Sequence, residues 1–162
     1  MLLFRSPTQR QIDTALTVLR VVLGITFIMH GGQKLFVYGL DGVAGSFAQM
    51  GIPAANVMGP FVAFVEFFGG IAIALGLLTR LAALGLAATM VVAILTVHLK
   101  AGFFNPGGIE FPLSLLGTAI TLAITGAGAY SLDALLAKRF AGTRTAEQAA
   151  RAAAPERARR IA

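Results

Sequence analysis

The chain of 162 residues has no cysteine and no tryptophan. Without cysteine there is no disulfide framework, no thiol redox cycling and no cysteine-ligated metal or iron–sulfur centre. Without tryptophan, any aromatic belt at a membrane surface falls to Phe36, Tyr38, Phe103, Phe104 and Tyr130. Charge is scarce too. Only 12% of residues are charged while 57% are apolar, and the mean hydropathy is +0.81. That balance excludes an ordinary water-soluble domain and fits a protein whose solvent is lipid. Of the net charge of +6, much sits in the tail, because half of the arginines follow residue 140. The remaining basic residues flank apolar runs of lipid-crossing length. They form no soluble basic patch, so nucleic acid is not an expected partner; the bilayer is.

What is present is a set of long apolar runs. Four of them, at about 12–36, 56–78, 81–100 and 111–130, reach the ~30 Å of a hydrocarbon core at ~1.5 Å per residue. The expected fold is an all-α integral membrane protein, a bundle of four transmembrane helices. The first run resembles a signal peptide in its basic start, but Arg20 splits its apolar core and no small-residue cleavage site follows. A retained helix is expected. Between the first two spans, Asp41 can cap a short helix that ends at Met50 before Gly51 and Pro53. Val43, Phe47 and Met50 then share a face, as in a helix lying on the membrane. Pro60 suits the first turn of the second span, and Thr79-Arg80 makes a tight turn. The transmembrane domain is expected over 1–140, with a basic Ala/Arg-rich tail over 141–162. Arg5, Arg10, Arg80, Lys138, Arg139 and the tail fall on one side; only Lys34 and Lys100 fall on the other. The positive-inside rule then puts both termini in the cytoplasm.

The most informative stretch is Val65-Glu66-Phe67-Phe68-Gly69-Gly70, which carries a carboxylate inside an apolar span. An ionisable group there costs roughly 2.5–3.5 kcal/mol and needs a partner or a cavity. The glycines let a second helix approach. Helix rise places Arg20 about 12 Å and Glu66 about 18 Å from the cytoplasmic end, so an Arg20–Glu66 pair is expected. At ~100° per residue, Arg20, Gly24, Phe27, His30, Gly31 and Lys34 share a sector. Ser114, Gly117, Thr118, Thr121 and Thr125 continue a polar stripe from Glu110. His30, Gln33, Lys34 and Glu110, with His98, are expected near the outward mouth of a polar seam. By the same wheel His98 lies opposite the Thr89–Thr96 face. Two histidines on separate helices suffice in principle for haem or for a weak metal site with Glu66 or Glu110, but hydrogen-bonded histidines are the simpler reading and haem is not expected.

Taken together the pattern resembles the DoxX family of small bacterial membrane proteins. It runs from Arg20, Gly24 and Phe27 through His30-Gly31-Gly32-Gln33-Lys34-Leu35 and Gly51-Ile52-Pro53 to Glu66 with Gly69-Gly70. It continues with Leu75-Gly76-Leu77, Thr79-Arg80, Gly102-Phe103-Phe104, Gly107-Gly108-Ile109-Glu110 and Gly126-Ala127-Gly128 before Ser131-Leu132-Asp133. The resemblance implies a multi-pass protein of the bacterial inner membrane, linked to quinone-reducing systems and to oxidative stress. It points to quinone as the cofactor or substrate class, with a redox enzyme as partner and with homo-oligomers possible. Glu66 and His30 are the candidate catalytic groups. Arg20, Lys34, Gln33, Glu66, Glu110 and His98 are the candidate lining of a quinone-binding polar cavity. His30 or Lys34 would donate to a quinone oxygen, and Glu66 or Glu110 would relay protons. No nucleotide-binding loop is present, so electrons would come from elsewhere. The rival readings are a non-catalytic scaffold that docks soluble redox enzymes through its basic tail, and a small transporter or lipid-binding protein.

Overall fold

The computed structural model describes residues 5–141. The described residues are helical, without strands. Almost all of the basic tail lies outside them.

Helix α1 runs Gln9–Gly32. Its start is fixed by a capping box: the Thr8 hydroxyl accepts from Gln11 N, and the Gln11 side chain accepts from Thr8 N at 2.8 Å. A π-helical turn, Gln33–Tyr38, follows directly. At Gly39 (φ +69°, ψ 162°) the backbone leaves the helical region, and the chain bends into α2, Gly39–Gln49. Helix α3 is Ala55–Leu75. Helix α4 is Thr79–Ala93, extended by a second π-turn, Ile94–His98, and a short 3₁₀ turn to Ala101. Helix α5 is Glu110–Thr125, and the chain is helical again over 132–141.

The short helix expected between the first two spans is present. It starts three residues early, capped at Tyr38 rather than Asp41, and packs Val43 and Ala44 against Gly59 of α3. Three stretches are long and apolar enough to cross a membrane: Gln9–Gln49, Ala55–Leu75 and Thr79–Ala101. The expected fourth span is shorter than its apolar run. Helix α5 has 16 residues, ~24 Å, because Gly126 (φ +81°) ends it five residues before Ser131. Pro60 falls in the second turn of α3 rather than the first, since that helix begins at Ala55.

Helices α1 and α3 run antiparallel at close range. A Cβ at Gly24 would stand 2.7 Å from the Gly70 carbonyl oxygen, and one at Gly31 would strike the Phe67 backbone. Small residues permit this approach where apolar burial gives no driving force between helices. The core joins Leu16, Leu23 and Phe27 of α1 to Ile73 of α3, Leu86 and Met90 of α4, and Leu122 of α5. Outside this core the molecule is apolar. Val22, Met29, Phe36, Leu81, Leu84 and Ile124 are each at least 60% exposed. A belt of that kind is intolerable in water and ordinary against lipid tails.

Candidate functional site

The charged residues of the spans divide between two ends of the bundle. One end is structural. Irregular backbone over 126–131 would be costly in lipid unless protein satisfies its polar groups. Asp13 Oδ1 accepts from Ala129 N at 2.9 Å, and Arg20 Nη2 donates to the Tyr130 carbonyl at 2.5 Å. Asp133 reaches back to the start of α4, accepting from Leu78 N at 2.7 Å and Thr79 N at 2.9 Å. It caps a helix remote in sequence, whose own N-cap, Leu78, has no side-chain oxygen to offer. Asp133 also lies within electrostatic reach of Arg20. Arg20 is 2% exposed and rests on Gly76, where a Cβ would run into its guanidinium.

The expected Arg20–Glu66 pair is therefore absent. The antiparallel register sets Gly24 against Gly70 and Ala74, and Gly31 against Phe67. Arg20 then stands level with Gly76, and Glu66 stands beside the end of α1, some ten residues and ~15 Å further along. Estimating both depths from assumed span ends hid this offset.

At the other end Glu66 pairs with Lys34. The Glu66 side chain is 6% exposed and that of Lys34 21%. Lys34 belongs to the first π-turn, and Gly31 brings that part of α1 onto α3. The pair borders an apolar cavity of about 180 Å³. Val62 of α3, Thr89, Val92 and Ala93 of α4, and Thr96, Val97 and His98 of the second π-turn line it. Phe47, Met50 and Ile52 close it from α2 and the following turn. Phe47 and Met50, expected to face lipid, thus line a cavity instead.

His98 shares this cavity with Thr89 and Thr96, contrary to the helical wheel. At 100° per residue nine residues would put His98 half a turn from Thr89. The π-turn absorbs one extra residue and takes back about 100°, which returns His98 to the same wall. Its Nδ1 lies 2.7 Å from the Gly107 carbonyl oxygen. A carbonyl only accepts, so Nδ1 carries the proton and Nε2 is left as the free ring nitrogen.

The other expected site residues lie elsewhere. His30 packs against Phe111, with ring centroids 6.1 Å apart, and lines a shallow apolar groove with Gln33, Phe36 and Phe67. Glu110 Oε1 accepts from Asn105 N at 2.7 Å and ties down the turn before α5. Of the seven candidates the structure brings together Lys34, Glu66 and His98. The other nine residues of the cavity wall, Thr89 and Ala93 among them, were not candidates in the sequence reading. Among the described residues no group of three or more His, Asp or Glu could hold a metal ion.

The cavity residues from Lys34 to His98 lie within residues 15–99, which match the DoxX family profile. The chain belongs to the DoxX family. It is 39% identical to CatD of Bacillus subtilis, whose name proposes an oxidoreductase, over 75% of this chain and 86% of CatD. It is 38% identical to the inner membrane protein YqjF of Escherichia coli, over 79% of this chain and 96% of YqjF. It is 37% identical to the membrane protein Rv3486 of Mycobacterium tuberculosis, over 75% and 80%. No solved structure matches. This DoxX protein is accordingly a multi-pass protein of the inner membrane, with the bilayer as its environment. The clasp built on Tyr130 and Asp133 lies beyond the matched residues.

Proposed function

We propose that this DoxX protein binds a lipophilic quinone or quinone-like molecule in the Lys34–Glu66–His98 cavity. It acts as the membrane part of a redox or oxidative-stress system, with the electrons supplied by a partner or a diffusible reductant. The observation that carries this reading is the buried Lys34–Glu66 pair on the wall of an apolar, ring-sized cavity. An engineered apolar cavity of about 150 Å³ holds benzene. A quinone head needs that apolar space, a donor to a ring oxygen and a group that exchanges protons. Lys34 is the donor and Glu66 the exchanging group. The oxidoreductase name of CatD agrees with this.

In the same reading α5 and the 126–131 segment together complete a fourth crossing. The termini face the cytoplasm, and the cavity, beside the 33–54 and 99–109 connections, opens toward the periplasmic side. Native mass spectrometry and thermal shift with a short-chain quinone test the proposal on wild type, Glu66→Gln and the cavity-filling Ala93→Leu. Quinone retained by wild type and by Glu66→Gln, whose amide still hydrogen-bonds a ring oxygen, and lost in Ala93→Leu supports it. No quinone-dependent shift and no retained quinone in wild type would refute it.

A further inference from the structure

The cavity's hydrogen-bonding groups are lopsided. Glu66 engages Lys34 through Oε2, and its Oε1 takes no hydrogen bond among the described residues. Thr89 spends its proton on the Leu86 carbonyl at 2.8 Å, and Thr96 spends its own on the Val92 carbonyl at 2.7 Å. His98 spends the Nδ1 proton on Gly107, so its neutral ring offers only the Nε2 lone pair. Four acceptors are thus left open against a single donor group, the Lys34 ammonium. A quinone carbonyl can only accept. A quinol hydroxyl donates and can still accept from Lys34.

We infer that the cavity selects the reduced form of its ligand, a quinol. The inference rests on the quinone-binding reading above and specifies the ligand at that same site. Oxidised ligand would leave Glu66 Oε1 and Thr89 facing lone pairs in a desolvated space, which is the situation buried sites reject most strongly. One charge-assisted hydrogen bond, from a quinol hydroxyl to Glu66 Oε1, accounts for a preference of ~tenfold or more. Binding the reduced form tenfold tighter raises the two-electron midpoint of the bound ligand by about 30 mV.

The test is calorimetric titration of the full chain in lipid nanodiscs with hydroquinone and 1,4-benzoquinone. Ala93→Leu serves as the filled-cavity control because it leaves both members of the ion pair in place. The expected result is hydroquinone binding at least tenfold tighter than benzoquinone, lost in Ala93→Leu. Glu66→Gln should shrink the quinol preference, since an amide donates as well as accepts. Benzoquinone binding as tightly as hydroquinone, with both lost in Ala93→Leu, overturns the quinol preference while leaving the quinone-binding reading intact. Binding that Ala93→Leu does not weaken places the ligand elsewhere and overturns the inference. No binding of any probe overturns the inference and the quinone-binding reading together.

Discussion

Removing Lys34 should destabilise the protein more than removing Glu66, although the two form one ion pair. The reason is unequal burial. With Lys34→Met, the carboxylate left behind is 94% buried by its side-chain exposure of 6%. Its hydrogen bond to Lys34, the one it makes among the described residues, is then gone. Breaking a buried pair on that side costs about 3–5 kcal/mol. With Glu66→Leu, the ammonium left behind is already 21% exposed on a flexible stem near a helix end. It can move its charge to the headgroup region, so the cost falls to about 1 kcal/mol. The double variant Lys34→Met/Glu66→Leu leaves no uncompensated charge and should recover most of the wild-type stability. Reversible unfolding in mixed micelles, read by circular dichroism, gives the four corners of the cycle. A parallel cycle pairs Arg20→Met with Glu66→Leu and should be additive within about 0.5 kcal/mol, since the two residues stand ~15 Å apart along the bundle. Two outcomes refute the reasoning: a Glu66→Leu cost equal to or above that of Lys34→Met, or strong coupling between Arg20 and Glu66.

Other positions give independent checks. Asp133→Ala removes both acceptors at the start of α4, at 2.7 and 2.9 Å, and should cost about 2 kcal/mol without changing ligand affinity; thermal shift and calorimetry measure the two effects separately. Gly31→Ala places a methyl against the Phe67 backbone and should cost about 1–3 kcal/mol by forcing α1 from α3. Gly117→Ala meets nothing within 4 Å and should instead raise stability by up to about 1 kcal/mol through helix propensity; a loss measured by the same unfolding assay would mean that this face of α5 is covered. Arg20→Met strips the Tyr130 carbonyl of its donor and should loosen the 126–131 segment, seen as faster amide exchange at Ala129 and Ser131 with the cavity end unchanged.

The amino-acid sequence determined the solvent and the elements. Apolar runs of membrane-crossing length, scarce charge and the absence of cysteine define a helical bilayer protein, because backbone in lipid must satisfy itself within helices. Gly51 was legible as the stop after α2, since a positive-φ glycine acts within a turn, whereas the start of α2 and the end of α5 fall elsewhere than the local signals suggest. Even the Val43–Phe47–Met50 face was legible as apolar; what it covers was not. The family, too, was readable from the order of short motifs around Lys34 and Glu66.

Only the tertiary structure decided the pairing of charges and the make-up of the cavity. Which cation meets Glu66 depends on how far α1 slides along α3, and that offset is set by the Gly24–Gly70 and Gly31–Phe67 approaches on two helices more than thirty residues apart. Arg20, equally charged and more deeply buried, serves the 126–131 backbone because that register carries it there. His98 joins Thr89 only because the helix widens to a π-turn between them. A π-turn gives up ideal backbone geometry for packing gained elsewhere. No local pattern in Ile94-Leu95-Thr96-Val97-His98 announces that exchange, since its reward lies in contacts with other helices.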